Sequence, residues 1–566
     1  MKTKVNKLVT DNAFIIAVVL SSILFLLSTL IQPSYESCDD VMMEYQVYGV
    51  GYGHGTSFLV FINRILGYGI HWFSKAIPMI NSYFFIHILT CLLSNVMISS
   101  VLFKKNGIYG IVPIILIFAA DFECFYSVQF TKTASIASVA GILSVLYYLK
   151  NRKKPVIIVG AILMLIGSMY RFWSFGVVAL LMLSIVISEG IELLKTRKEQ
   201  VKDYLLVGVL IVGTILLINM IGNRLDNSTS DLKRYSEFNI LRSEVFDYDR
   251  DVDEAYKKAL EGGTDVTGSQ VLMFNAHMFN DPNVFDVEKV ASIAQLGHVE
   301  GPTISESIRT YLTFFLPNIF KSEPLMMVLA LSFLVSILFS KKKEYMIILL
   351  FSYSVVMCYL IWFGRYFIHR VDWSIMFTLL VSIAYLFDPM EKIIRKELLK
   401  LVLLICAGVM AIAGCFIVCF IPVKDHLRIV SEKAICYESS VNILNGHEEY
   451  RYMIHPHAVV TDDRRTVFSI PHDDVLSDAF EMGDGDCYIP ESEVGDSCQI
   501  EGNPWTACVD SDDIRVVMPN SDNGEYCIKV MEYYIEEQYG LEVTHVLEDS
   551  NEHVLIYAIV SEDSAE

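Results

Sequence analysis

Charge is what this chain has least of. Only 19% of its 566 residues are Asp, Glu, Lys or Arg, against roughly 25% in an ordinary soluble domain. Nowhere are the basic residues gathered into the stripe that a nucleic-acid site requires. The cysteines lack C-x₂-C spacing, which removes the common zinc frameworks. Neither G-x-S-x-G nor H-E-x-x-H occurs, so the familiar serine-hydrolase and zinc-protease signatures are absent too. The glycine-rich run Tyr48-Gly49-Val50-Gly51-Tyr52-Gly53-His54-Gly55 lacks G-x-G-x-x-G spacing and follows no strand. It reads as a turn that lets backbone approach closely, not as a nucleotide loop.

What fills the chain instead is apolar. Hydrophobic residues make up 53% and the mean hydropathy is +0.45. Apolar stretches of about 18 residues, long enough to cross about 30 Å of hydrocarbon as helix, recur through the first three quarters. Lipid offers backbone groups no water, so such stretches must be helical. About eleven spans are expected, at Ala13–Ile31, Ser82–Phe103, Ile108–Ala120, Thr133–Leu149, Pro155–Tyr170, Ser174–Ile187, Tyr204–Ile221, Pro324–Phe339, Tyr345–Phe363, Trp373–Phe387 and Leu401–Ile421. The first follows Lys2, Lys4 and Lys7 and has no clear cleavage site, so it is expected to stay as an anchor.

The charges that do occur are sorted. Residues 422–566 hold 32 acidic and eight basic residues, a net of −24, within a chain of −21, which leaves the rest at +3. With the N-terminus inside, Lys104-Lys105, Lys150 to Lys154, Lys195 to Lys202, Lys341-Lys342-Lys343 and Lys392 to Lys400 all fall on the cytoplasmic side, as the positive-inside rule demands. The acidic tail then lies outside. The expected fold is an α-helical polytopic membrane protein with a small extracytoplasmic α/β or α+β C-terminal domain. Its division is 1–421, with outer loops 32–81 and 222–307, and 422–566.

Within loop 32–81, Phe58–Ile77 has apolar residues at helical spacing and is expected to lie along the interface. A second interfacial helix is expected at 306–321. In the tail, Glu542–Leu547 and His553–Ala558 alternate like strands, and Ile528–Tyr539 reads as an amphipathic helix. Cys436, Cys487, Cys498, Cys508 and Cys527 lie there. One or two disulfides could form outside the cell, with Cys487, Cys498 and Cys508 competing and an odd thiol left over.

Two groups of residues could carry chemistry. Asp39 and Asp40 follow the first span, with Glu44 about one helical turn further. Adjacent carboxylates repel, which raises one pKa and suits that group to take a proton or hold a cation. Lys132, Arg171, Arg365 and Arg370 lie near outer helix ends, on the side that insertion leaves poor in bases. Singly, each also reads as an anchor in an aromatic belt. Together they match a phosphate, which a guanidinium fork binds through two oxygens. Glu44, His54 and His369 are accessory candidates.

Cys38-Asp39-Asp40, the segment Ser57–Asn63, Gln129-Phe130-Thr131-Lys132-Thr133-Ala134, and Gly364-Arg365 with Arg370 together resemble the GT-C class of polytopic glycosyltransferases. More narrowly, the chain resembles bacterial multi-span proteins related to glucosyltransferases that decorate surface polysaccharides. The resemblance covers the membrane part and not the tail. It implies transfer of a sugar from a polyprenyl-phosphate donor to a cell-surface glycan or polymer acceptor at the outer leaflet, usually with inversion. Asp39 or Asp40 would be the base, and Lys132, Arg171, Arg365 and Arg370 would hold the donor phosphate. The stricter D-x-D form is replaced here by Asp-Asp, so a divalent cation is left open. Two other functions fit a multi-span protein: a transporter or flippase of lipid-linked glycans, and a scaffold that presents the tail.

Overall fold

The computed structural model describes residues 2–50, 53–151, 154–248, 251–281, 283–318, 324–365, 368–388, 405, 408–409, 411–447, 449–459, 467–472, 476, 479–483, 500 and 502–562. It is mostly helical, with a sheet near the C-terminus. Among the described residues five segments are long and apolar enough to cross a membrane: Ala13–Ile31, Ser82–Tyr126, Phe130–Asn151, Lys198–Asp226 and Lys343–Trp362. A sixth appears if Phe172–Leu181 and Leu183–Thr196, bent by 51° at their junction, count as one. Pro155–Tyr170 and Leu325–Phe339 are shorter apolar helices. These helices mark a membrane protein. The run Ser82–Tyr126 is divided at Gly107–Gly110 into the helices Ser82–Asn106 and Ile111–Asp121. The expected last span, Leu401–Ile421, lies partly outside the described residues, as do the lysines between 392 and 400.

Two helices form the centre of the bundle. Phe130–Asn151 is buried almost throughout, and His369–Leu386 is buried from Asp372 onward. Helix Lys154–Tyr170 packs against the first at very short range, because glycines face each other. A Cβ on Gly141 would come within 2.6 Å of the Gly160 carbonyl, and one on Gly167 within 2.7 Å of the Ala134 carbonyl. Small residues let membrane helices approach this closely where lipid gives no hydrophobic drive. Ala13–Ser28 and Val201–Asp226 lie at the rim, and Leu205, Leu206, Val209, Leu210 and Leu216 are exposed on the latter. An apolar surface of that extent fits lipid and not water.

Phe130–Asn151 also defines two ends. Lys132 and Lys150 are 18 residues apart in sequence, about 27 Å along a helix, close to the thickness of a hydrocarbon core. At the Lys150 end, Lys150 pairs with Glu189 at 3.3 Å and Glu192 at 2.6 Å, and Lys342 reaches Glu192 at 3.5 Å. Tyr385 donates to Glu189 there, and Lys105 donates to the Tyr385 carbonyl. Basic residues from three of the predicted cytoplasmic loops thus meet at one end.

At the other end, β1 (Ser34–Tyr35) pairs in parallel with β2 (Ser127–Val128). Helix Cys38–Tyr48 follows β1. The predicted interfacial helix begins only at Arg64 and runs to Ala76, since the Asn63 side chain caps Ile65 N. Phe58, Leu59 and Ile62 precede it and are buried. Tyr68 and Trp72 are exposed on its outer face. The second predicted interfacial helix starts at Ile304 behind a Thr303/Glu306 capping box, and residues 319–321 of that prediction lie outside the described set.

The C-terminal sheet contains β3 (Arg451–Ile454), β4 (Phe480–Glu481), β5 (Ile514–Pro519), β6 (Val543–Ser550) and β7 (Val554–Ser561), in the order β4-β3-β5-β7-β6. β3 is parallel to β4 and β5, while β7 is antiparallel to β5 and β6. Helix Asp522–Tyr539 starts six residues before its predicted first residue, with Ser521 as cap.

The division at 421/422 is not where the packing divides. Helix Ile421–Leu444 continues straight through it. More important, the predicted loop 222–307 is helical, with Ser230–Phe246, Val252–Glu261, Gly268–Asn275 and Val287–Leu296. Its Phe238, Phe274, Phe279 and Phe285 share one core with Trp505, Val516, Met518 and Tyr534 of the tail. Val517 points to the opposite face, where Tyr437 and Leu444 of the long helix meet Ile454 and Ile556. The sheet is therefore covered on both faces, which explains the consecutive apolar residues Val516-Val517-Met518 better than alternation does. Cys508 and Cys527 are buried thiols in this core with no disulfide. Cys487 and Cys498 lie outside the described residues.

Candidate functional site: a cation cluster at one end of the bundle

Asp39 and Asp40 open helix Cys38–Tyr48, one residue apart and pointing differently. Asp40 is fully buried. Its Oδ1 accepts from the Tyr83 hydroxyl at 2.9 Å and from the Phe130 N–H at 3.1 Å, and its Oδ2 from the Ser37 hydroxyl at 3.2 Å. Burial pushes this carboxyl well above the usual range, and the charges of Asp39 and Glu36 add to that. The bonds from Tyr83 and Phe130 act the other way. Asp40 is thus a tie between three segments, and its carboxyl is closed off from an acceptor. Asp39 is partly exposed, with a carboxylate oxygen 3.8 Å from an Arg370 nitrogen.

Arg171 sits between helices Lys154–Tyr170 and Phe172–Leu181, in extended backbone. Its guanidinium lies over Phe130 at 5.1 Å and Phe61 at 5.8 Å, two rings that stack on each other at 5.7 Å. The charges of Arg370, Asp39, Arg365 and Asp247 all act on it. Arg365 pairs with Asp247 at 2.5 Å and covers the Tyr248 ring at 5.1 Å. Three guanidinium groups therefore share one end of the bundle with two carboxylates, a surplus of one positive charge. An anion is the natural complement, since guanidinium forks match phosphate oxygens.

Lys132 does not join them. It is fully buried, 2.5 Å from Glu36 and also paired with Glu123, with Trp373 5.8 Å away. Two carboxylates, Glu36 and Glu123, already meet its ammonium. Gln129 caps this helix start by accepting from the Thr131 and Lys132 N–H groups. Glu123 also meets His369, whose Nε2 is 2.6 Å from Glu123 Oε1.

The other accessory candidates separate. Glu44 is buried and accepts from Tyr35 at 3.0 Å and from Asn81. Asn81 in turn donates to the Val467 carbonyl at 2.8 Å, which ties the bundle to the tail. His54 is on an exposed turn whose backbone crowds Gly49, where φ is +84° and a Cβ would meet His54 at 2.5 Å. Among the described residues no three His, Cys, Asp or Glu side chains are grouped to hold a metal ion. Asp39, Asp40, Glu44 and His54 therefore do not form such a group.

Glu36, Glu123 and Asp247 were not singled out as site residues from the sequence. Glu36 sits three residues before Asp39, and Asp247 lies within the loop 222–307, but nothing in their spacing announces a partner more than 80 residues away. Comparison with known proteins brings no relative: no family model, no curated protein and no solved structure matches the chain.

Proposed function

We propose that this protein transfers a sugar from a polyprenyl-phosphate donor to a cell-surface acceptor at the outer leaflet of the plasma membrane. In this reading the chain crosses the membrane eleven times, with its N-terminus in the cytoplasm and the C-terminal domain outside. The observation that carries it is the surplus cation cluster of Arg171, Arg365 and Arg370 around Asp39. Asp39 takes the proton of the acceptor hydroxyl as that oxygen bonds to the anomeric carbon. The bond from that carbon to the phosphate oxygen breaks, and the phosphate leaves with the electron pair. Arg171, Arg365 and Arg370 hold its charge. The loose Asp39–Arg370 pair suits this, because a partly exposed ion pair costs little to exchange.

The test is surface glycan in a deletion strain complemented with Asp39→Asn or Arg370→Ala. Loss of the glycan modification with normal protein level supports the assignment. Full restoration by both variants would sink it.

A further inference from the structure

We infer that Phe61, stacked on Phe130, is the positioning residue that presents the Arg171 guanidinium to phosphate. This role rests on the phosphate reading above and adds to it the side chain that holds one of the ligand's contacts in place.

Arg365, Arg370 and Lys132 each have a carboxylate partner: Asp247 at 2.5 Å, Asp39 at 3.8 Å, and Glu36 with Glu123. Arg171 has rings instead. Its guanidinium makes no hydrogen bond or ion pair among the described residues, and lies 5.1 Å from the Phe130 ring and 5.8 Å from the Phe61 ring. Asp39 acts on it through charge alone. An aromatic face attracts a cation through its quadrupole, yet it offers no acceptor oxygen. The N–H donors of the Arg171 fork are therefore not spent on a neighbour.

The rings are fixed from the backbone outward. Phe130 is fully buried, and its N–H donates to Asp40 at 3.1 Å. Phe61 stacks on it, with the ring planes 3° apart. Two residues beyond Phe61, the Asn63 N–H donates to the Met169 carbonyl at 2.8 Å, and Met169 is two residues before Arg171. One hydrogen bond thus ties the segment that carries the ring to the helix break that carries the cation. The Asn63 side chain secures this tie. Its Oδ1 accepts from the Ile65 N–H at 3.0 Å, and its Nδ2 donates to Asn219 at 3.4 Å. Asn219 in turn donates to Ser168 at 3.0 Å, in the helix that ends just before Arg171. A Cβ on Gly222 would collide with Asn63, so the neighbouring helix needs a glycine there. A long side chain held in this way loses less freedom when a ligand binds, and that is the gain from preorganisation.

The experiment uses the full-length protein in detergent micelles and a short-chain isoprenyl phosphoglucose. Affinity and melting temperature are measured for the wild type, Phe61→Leu, Arg171→Met, the double variant, and protein with pentafluorophenylalanine in place of Phe61. Fluorination reverses the charge of the ring face and keeps the stack on Phe130, so it probes the ring's quadrupole and not its volume. Phe61→Leu and the fluorinated protein should each bind about fivefold more weakly, the cost of ordering one long side chain on binding. Arg171→Met should bind more than about tenfold more weakly, because a charge-assisted hydrogen bond is lost. With Arg171→Met in place, Phe61→Leu should add less than about twofold, since the two changes remove one shared contact. If Phe61→Leu lowers the melting temperature, the fluorinated protein decides. Wild-type affinity in the fluorinated protein, or an equal Phe61→Leu loss in both backgrounds, makes Phe61 ordinary packing and overturns the role. The phosphate reading then stands on the Arg171→Met loss. Unchanged affinity in Arg171→Met removes Arg171 and its support from the site, and no wild-type binding overturns the phosphate reading as well.

Discussion

Arg365 and Asp247 stand 2.5 Å apart although 118 residues separate them in sequence. The first lies between two bundle helices and the second just after Ser230–Phe246. The pair therefore joins the cation cluster to the domain built from the central loop and the tail. Both side chains are partly exposed, so the pair contributes no more than about 1 kcal/mol to stability. Asp247→Asn should leave the melting temperature in detergent nearly unchanged. It should also tighten binding of an isoprenyl phosphodiester, because Arg365 loses a competing carboxylate. Weaker binding would mean that Asp247 orients Arg365 for the ligand.

The two neighbouring aspartates should behave oppositely. Asp39→Asn removes the partly exposed carboxylate and should abolish transfer while the protein stays folded. Asp40→Asn keeps an oxygen for Tyr83 and Phe130, so it should fold and retain activity. Asp40→Ala strands those donors and should cost about 1–3 kcal/mol. Thermal unfolding and glycan analysis of the three variants separate these outcomes.

Asp40 also gives stability a pH dependence of defined sign. Its carboxyl is raised in the fold by burial, so the folded state binds this proton more readily than the unfolded chain. Its contribution is most favourable at low pH and declines as pH rises from about 3.9 through the raised folded value. Asp40→Asn should flatten that decline in a melting-temperature profile. A profile with unchanged slope would show that Asp40 is not the group responsible.

Lys132 is the buried member whose loss should be most damaging. Lys132→Met leaves Glu36 and Glu123 without their cation, and removing one partner of a buried pair typically costs about 3–5 kcal/mol. Low yield and early aggregation on size-exclusion chromatography are expected. Adding Glu36→Gln and Glu123→Gln should recover much of the loss. Failure of that rescue would place the damage in packing against Trp373.

Removing residues 422–566 should not yield a bundle with an intact central loop. Phe238, Phe274, Phe279 and Phe285 would lose Trp505, Val516 and Tyr534 as packing partners. Limited proteolysis should then cut between residues 230 and 300, where the full-length protein is protected. Equal protection in both would show that the loop folds alone.

The sequence was informative wherever one segment is enough. Hydropathy located helices at the expected apolar stretches because a helix in lipid satisfies its own backbone, and the terminal strands showed in their apolar residues. The basic loops were legible as a group, and Lys105, Lys150 and Lys342 do meet around Tyr385, Glu189 and Glu192. The start of the helix at Arg64 was missed because Asn63 ends the apolar periodicity only through a side-chain cap.

Partnership was not legible. Asp39 and Asp40 are equivalent in sequence, and only packing against Tyr83 and Phe130 makes one a buried tie, while the other stays partly exposed beside Arg370. Lys132 resembled Arg171 and Arg370 until Glu36 and Glu123 closed around it. The loop 222–307 read as polar because its apolar residues are spread thinly over short helices, and their common face exists only once the tail sheet supplies the other half of the core. Membrane helices and charge sidedness come from local interactions with lipid and insertion, which a sequence carries residue by residue. Which charges neutralise one another depends on distances between remote segments, and those distances are set only when the chain is packed.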